Sequence, residues 1–161
     1  MTGKPIHMPR LRLVGQAAEI GPAVDTVRRF ALAAGLPPES CDALALAVDE
    51  AVSNILRHAY DAPVDSAVTI DAAADGEGIE VVLADRGRPF SPLDRSPPRL
   101  EGGAADRPVG GLGIHLMRTL VDRIDYRREG DVNRLTLSKY RTAALAAGAP
   151  RGEDGADDTG A

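Results

Sequence analysis

The segment from residue 38 to residue 59 constrains the fold most, because its apolar residues recur with the period of an α-helix. At 100° per residue, Leu44, Val48, Ala51 and Ile55 fall within one narrow arc. Polar residues occupy the opposite side of this predicted helix: Asp42, Asp49, Ser53 and Arg57. Glu50 and Asn54 lie on the border between the two faces. Such an amphipathic helix needs a second layer against which its apolar face can pack.

The remaining elements follow from alternation and from turn residues. Short alternating runs predict strands over 10–16, 66–72, 79–84, 123–129 and 132–140. A second helix should run from Gly21-Pro22 to Gly35, and a third should follow the glycines at 110–113. The order of elements predicts an α+β two-layer sandwich, in which a mixed, mostly antiparallel sheet carries the helices on one face.

Composition divides the 161 residues into three parts. We expect a flexible N-terminal arm over residues 1–9, one domain over 10–145, and a disordered acidic tail over 146–161, which has no apolar side chain larger than Ala or Pro. Within the domain, residues 88–109 contain five prolines and no period, which predicts a long loop.

Several classes of protein are disfavoured by the same composition. No run approaches the roughly 18 apolar residues of a membrane helix, and no apolar run follows the charges of the first ten residues. A single cysteine, Cys41, excludes an internal disulfide and indicates a reducing cytoplasm. The net charge of −5 leaves no basic footprint for nucleic acid.

Glu50 and Asn54 form the first candidate site. Side chains at i and i+4 project together from a helix, and a carboxylate with an amide oxygen suits Mg²⁺, which needs few protein ligands. The carboxylate could also accept a proton from an attacking hydroxyl. The alternative is an ordinary solvated helix face.

Asp85 and Gly87 form the second candidate site, directly after the apolar strand at 79–84. A carboxylate at a strand end can accept a hydrogen bond from an exocyclic amine, and a glycine lets the backbone approach a flat ligand. The alternative is a simple turn, because Asp and Gly commonly end strands.

Three glycines form the third candidate site. Gly110, Gly111 and Gly113 open a predicted helix, where free N–H groups suit a phosphate. Neither the dinucleotide-binding spacing nor the Lys-Ser/Thr of a Walker A loop is present. The alternative is a flexible hinge.

Taken in order, these three motifs resemble the GHKL nucleotide-binding (Bergerat) fold. The sequence AVDEAVSNILRHAY resembles the N box, DRGRPF the first glycine box, GGLGIHLM the second, and RREGDVNRLTLSKY the closing hairpin. The resemblance covers roughly residues 10–140. Within that superfamily the chain is most similar to the small bacterial anti-sigma-factor serine kinases, because no phosphorylatable-His hairpin and no transducer domain accompany the core.

The resemblance implies roles for individual residues. Glu50 would be the general base, Asn54 the Mg²⁺ ligand, and Asp85 the acceptor for adenine N6, with Gly87 admitting the ring. Residues 88–109 would form an ATP lid. The phosphates would be bound by the segment Gly110, Gly111, Leu112, Gly113 and Ile114. Thr136 would lie under the adenine. Further phosphate contacts are predicted for Arg57, His58 and Arg107, with a structural role as the alternative for His58 and a solvated one for Arg107.

The function that follows is an ATP- and Mg²⁺-dependent serine/threonine protein kinase of the anti-sigma type. Its substrate would be an anti-anti-sigma protein, and it would sequester a sigma factor in the cytoplasm; the resembled family commonly forms dimers. No nucleic acid or membrane partner is expected. Two alternatives stay open: a non-catalytic ATP-binding partner-switching module, and a phosphorelay component of the histidine-kinase type.

Overall fold

The computed structural model describes residues 4–58, 67–89, 91 and 111–142. A single 3₁₀ turn, Ala17–Glu19, precedes the first helix. The strands and α-helices in these ranges are β1 (Ile6–His7), β2 (Leu11–Leu13), α1 (Ile20–Ala33), α2 (Pro38–His58), β3 (Val68–Ala74), β4 (Gly78–Asp85), α3 (Gly111–Leu120), β5 (Arg123–Glu129) and β6 (Val132–Tyr140).

The strands form one sheet in the order β1-β3-β4-β6-β5, and β2 also pairs with β3. Each pairing between described strands is antiparallel. The two short strands share one edge of β3: β2 pairs with Val68 to Ile70, and β1 with Ala73 and Ala74. The predicted α+β sandwich with a mostly antiparallel sheet is confirmed.

The core lies between the helices and one face of the sheet. The predicted stripe of α2 (Leu44, Val48, Ala51 and Ile55) is buried, and α2 contacts α1, α3, β4 and β6. Alternate residues of the strands meet it, because successive side chains of a strand point to opposite faces. The buried apolar residues of the strands are Leu13, Val68, Ile70, Ala72, Ala74, Ile79, Val81, Leu83, Leu135 and Leu137.

A glycine cap ends α1 where the sequence predicts it. Gly35 has a φ of 87°, which a residue with a Cβ rarely adopts. The N–H of Leu36 donates to the carbonyl of Ala31 at 3.1 Å, and the N–H of Gly35 donates to that of Leu32 at 3.0 Å. These two bonds form a Schellman motif, which satisfies the last carbonyls of α1 and turns the chain towards α2.

The structure differs from the sequence prediction at the N-terminus. Ile6 and His7 of the predicted arm form β1, the N–H of Met8 donates to the carbonyl of Ala72 at 2.9 Å, and the Met8 side chain is 6% exposed. Residues 6–8 are therefore part of the domain. The sequence gives little sign of this, because a two-residue strand is too short to alternate and its partner lies far along the chain.

The β3–β4 hairpin is also longer than the sequence predicts. Ala73 and Ala74 extend β3, because they pair with Glu80 and Ile79 of β4 despite the low strand propensity of alanine. The turn is stabilised by the carboxylate of Asp75, whose Oδ1 accepts from the N–H of Glu77 at 2.8 Å.

Other predictions fall on parts of the chain that are not described. They are the tail at 146–161 and most of the predicted lid at 88–109. None of the helices within the described ranges combines the length and apolar character that crossing a membrane requires.

Candidate functional site

The first two candidate residues lie one turn apart on α2, and they differ in burial. Glu50 is half-buried, whereas Asn54 is 4% exposed. The Nδ2 atom of Asn54 is buried without a hydrogen-bond partner among the described residues. A buried donor left unpaired costs about 1–3 kcal/mol, and a bound ligand could supply the partner that the described residues do not. Asn54, which the sequence places on the border between the two faces of the helix, is therefore covered in the folded protein.

The first turn of α3 packs against these two residues through Gly113. A Cβ atom at position 113 would clash with the carboxylate Oε2 of Glu50, and it would lie 3.3 Å from Cδ of Glu50 and 3.8 Å from Nδ2 of Asn54. The absence of a side chain therefore brings the helix start next to both groups. Because the first N–H groups of a helix have no internal partner, this arrangement places potential donors beside a carboxylate and an amide.

A small cavity extends from Asn54 to the sheet. Asn54 borders it at the α2 end, and Asp85 borders it at the end of β4. Its walls are mostly apolar, with polar groups at the two ends. The lining residues are Ala51, Asn54, Ile55, Asp85, Met117, Tyr126, Asn133 and Leu135.

Asp85 ends β4 with its carboxylate buried, at 5% exposure. Its Oδ1 accepts from the N–H of Gly87 at 2.7 Å and from Nδ2 of Asn133 at 3.0 Å. Oδ2 accepts no hydrogen bond from the residues that the structure describes. One oxygen of a buried carboxylate is thus held by the protein, and the other is available to a ligand that can donate.

The sequence analysis does not identify Asn133, because it interprets the first residues of β6 only as part of a strand. Asn133 is 3% exposed, pairs with Asp85 in the β4–β6 register, and lines the cavity. The signal was present in the sequence: positions 133, 135 and 137 share one face of a strand, and Leu135 and Leu137 are apolar.

Thr136 is placed wrongly by the sequence prediction. It has the opposite parity to Leu135 and Leu137, and it lines a shallow groove on the other face of the sheet with Glu80, Val82 and Arg134. The structure therefore does not bring Thr136 to the cavity. Asn133 and Leu135 are the residues of β6 that line it.

The other predicted residues are only partly covered by the structure. Gly111 and Leu112 begin α3, and the side chain of Ile114 is 3% exposed, so only its backbone is available to a ligand. Arg57 is exposed at the end of α2 and does not line the cavity. Three predicted contacts lie beyond what the structure describes: Gly110, Arg107 and the side chain of His58.

Most of the chain matches a known domain family. The histidine kinase-like ATPase domain profile matches residues 14–139. The chain is 30% identical over 97 residues to the serine/threonine-protein kinase BtrW of Bordetella bronchiseptica, covering 60% of this chain and 68% of that one. It is 27% identical over 135 residues to the serine-protein kinase RsbW of Bacillus licheniformis, covering 81% and 75%.

Solved structures show the same fold. A crystal structure containing the RsbU and RsbW domains of a Mycobacterium tuberculosis protein matches with a TM-score of 0.55 and 16% identity, over 82% of this chain and 32% of that one. The histidine kinase domain of a blue-light activated histidine kinase from Erythrobacter litoralis matches with a TM-score of 0.52 and 20% identity, over 85% and 66%.

Proposed function

This chain belongs to the histidine kinase-like ATPase domain family, and from that premise we propose that it is an ATP- and Mg²⁺-dependent serine/threonine protein kinase. Its relatives BtrW and RsbW are named as serine/threonine- or serine-protein kinases, which supports this reaction over transfer to histidine.

One observation carries the proposal: Glu50 and Asn54 meet the bare start of α3 at Gly113, beside a cavity that ends at Asp85. A carboxylate, an amide and helix N–H groups at one end suit phosphates and a hydroxyl. At the other end, the carboxylate of Asp85 has one oxygen without a partner among the described residues, which suits the amine of a purine.

The residues present fit Mg²⁺-ATP. The Asn54 amide is buried with an unpaired atom, and rotation of its terminal group by 180° exchanges its donor and its acceptor. It can thus offer oxygen to a cation or N–H to a phosphate. Mg²⁺ would be held by Asn54 together with phosphate oxygens, and when bound it would neutralise charge on the phosphates.

The protein's own groups then have distinct tasks. The N–H groups at the start of α3 stabilise negative charge on the phosphates. The carboxylate of Glu50 makes no hydrogen bond or ion pair with the described residues, so it is available to accept the proton of a serine or threonine hydroxyl. The hydroxyl oxygen then bonds to the γ-phosphorus as the bond from that phosphorus to the β,γ-bridging oxygen breaks and ADP leaves. Phosphoryl transfer depends mainly on alignment and charge neutralisation, which is what this arrangement provides.

The partners belong to the same proposal. The resemblance to anti-sigma-factor kinases supports an anti-anti-sigma protein as the phosphorylated partner and a sigma factor as the sequestered one, with a cytoplasmic setting and a homodimer as the working form. Nucleotide state and substrate phosphorylation would then control which partner is bound.

The test compares three variants of α2 by nucleotide affinity and by phosphate transfer to a purified anti-anti-sigma-like protein. Glu50→Gln should preserve Mg²⁺-ATP affinity and lower transfer by about 10²–10⁴-fold, because it removes only the proton acceptor. Asn54→Ala should lower both affinity and transfer. Asp49→Asn is the matched control, since this neighbouring carboxylate does not line the cavity, and it should change neither.

Three outcomes would contradict the proposal in different ways. A wild type that binds ATP but transfers phosphate to no such partner would favour the non-catalytic module. An acid-labile product would indicate phosphohistidine and the phosphorelay alternative. Equal transfer by wild type and Glu50→Gln would leave the kinase in place but remove Glu50 as its base.

A further inference from the structure

The buried side chain of Asn133 connects the end of β4 to β5, the edge strand of the sheet. Its Nδ2 donates to Oδ1 of Asp85 at 3.0 Å, to the carbonyl of Gly87 at 3.2 Å and to the carbonyl of Arg88 at 3.1 Å. A single amide nitrogen therefore ties the carboxylate at the end of β4 to the backbone that follows it.

The other end of the same amide is bonded to β5. Oδ1 of Asn133 accepts from the hydroxyl of Tyr126 at 2.8 Å and from Nη1 of Arg128 at 2.6 Å. Nη1 of Arg128 also donates to the carbonyl of Gly87 at 3.1 Å. Because a guanidinium can only donate, the atom that it contacts must be the amide oxygen, and this fixes the orientation of the Asn133 side chain.

The fixed orientation has a consequence for Asp85. With nitrogen directed at Asp85, Asn133 and the N–H of Gly87 both bond to Oδ1, whereas Oδ2 accepts nothing from the described residues. If the Asn133 amide were reversed, its oxygen would face the carboxylate and repel it. The network beyond Asn133 thus determines which way the carboxylate is turned.

We propose that Asn133 is the positioning residue of the base pocket, which holds Asp85 so that Oδ2 receives the 6-amino group of the purine and thereby selects adenine. Asn133 itself need not touch the ligand, because it acts through the carboxylate. This inference rests on the proposed nucleotide-binding function and adds to it the residue that sets base selection.

The experiment measures binding of Mg²⁺-ATP and Mg²⁺-inosine triphosphate by calorimetry. Inosine carries an oxygen where adenine carries the 6-amino group, and a hydrogen on the neighbouring N1, so the ratio of the two affinities reports recognition of this edge of the base. The proteins are the wild type, Asn133→Asp, Asp85→Asn and the double variant. Asn133→Asp keeps the shape and the acceptor for Arg128. It removes the donor towards Asp85 and towards the carbonyls of Gly87 and Arg88, and it adds a carboxylate beside Asp85.

We expect the wild type to prefer ATP by about tenfold or more, the order of one hydrogen bond to a charged group. Each single variant should lower this preference by about 5- to 10-fold, and the double variant should lower it no further, because both act on one contact. Arg134→Gln is the matched control: it is the adjacent residue of β6 on the opposite face, and it should leave the ratio unchanged.

Thermal unfolding of each variant separates positioning from a purely structural role. If Asn133→Asp does not fold, Asn133→Ala serves the same comparison without an added charge, and the same loss of preference is expected. The proposal is overturned if the Asn133 variants weaken the binding of both nucleotides equally. It is also overturned if the double variant lowers the preference for ATP by the product of the two single-variant effects. A wild type that binds neither nucleotide overturns the proposed function itself, which is a different result from an unchanged ratio.

Discussion

At the scale of single residues, two buried polar groups of α2 differ in how they are satisfied. The thiol of Cys41 is fully buried, and its Sγ donates to the carbonyl of Leu36 at 3.6 Å. Nδ2 of Asn54 is equally buried and has no partner in the described chain. The first is an ordinary structural residue, whereas the second is an unpaired donor whose cost to stability a bound ligand could offset.

Cys41 gives a prediction about alkaline stability. Burial is the main cause that raises the pKa of its thiol. The native state therefore keeps the proton at pH values where the unfolded state releases it, and the stabilisation is complete below the usual thiol pKa of about 8.5. We expect the free energy of unfolding to fall as the pH rises above that value, by up to about 1.4 kcal/mol per pH unit from this group.

Urea unfolding at several pH values between 7 and 10 measures this dependence. Cys41→Ala is the control, because it lacks the thiol and keeps the other titrating groups. It should be less stable at neutral pH but should lose less stability on going to pH 10. Parallel pH profiles for the two proteins would contradict the prediction.

At the scale of elements, three glycines sit in different surroundings and should respond differently to alanine. A Cβ at Gly113 would meet the flexible end of the Glu50 side chain, whereas one at Gly78 would meet the backbone of β6 at Lys139 and Tyr140. Gly21, in the first turn of α1, has no atom near its Cβ position. A side-chain end can rotate away at small cost, but paired strands cannot separate locally.

We expect Gly113→Ala to change the free energy of unfolding by less than about 1 kcal/mol, since alanine also favours the helix. Phosphate transfer should nevertheless fall by about tenfold or more, because the methyl group displaces the Glu50 carboxylate. Gly78→Ala should destabilise the fold by about 1–3 kcal/mol. Thermal unfolding together with a transfer assay on each variant checks both statements.

Gly21→Ala serves as the neutral comparison. It should leave transfer unchanged and should stabilise the protein by about 0.4–1 kcal/mol through the unfolded state. A Gly113→Ala protein with full transfer activity would show that the close approach of α3 to Glu50 is not needed for the chemistry.

For the molecule as a whole, the sequence predicts correctly those elements that depend on a local pattern of residues. The β5–β6 hairpin was placed correctly because Gly130, with a φ of 61°, marks its turn, and α2 because its apolar stripe is continuous. Asp85 was located at the end of β4 by alternation alone, and the structure confirms that position.

What the sequence could not supply depends on contacts between distant segments. Gly113 lies close to Asn54 because α3 packs on α2, and no local pattern encodes that approach. The role predicted for Thr136 rests on the family resemblance and does not take strand parity into account. The pairing of Asn133 with Asp85 depends on the register between β4 and β6, which the sequence alone does not give.

The strand formed by Ile6 and His7 covers part of one backbone edge of β3. Together with Met8 it occupies the backbone hydrogen-bonding groups of β3 from Ala72 to Ala74, while β2 occupies those of the other half. An unpaired strand edge is a template on which another polypeptide can add a strand. Residues 6–8 therefore protect this edge of β3 from pairing with another polypeptide.

Removal of residues 1–8 should expose that edge and cause association that increases with protein concentration, beyond any assembly of the full chain. Sedimentation velocity and light scattering on both proteins measure it. Met8→Ala is the control, because it removes the buried side chain and keeps the backbone pairing; it should lower the melting temperature without promoting association. A truncated chain that sediments as the full chain does at every concentration would mean that β3 is protected by its sequence rather than by its neighbour, and that small alanine side chains alone make this edge a poor seed for misassembly.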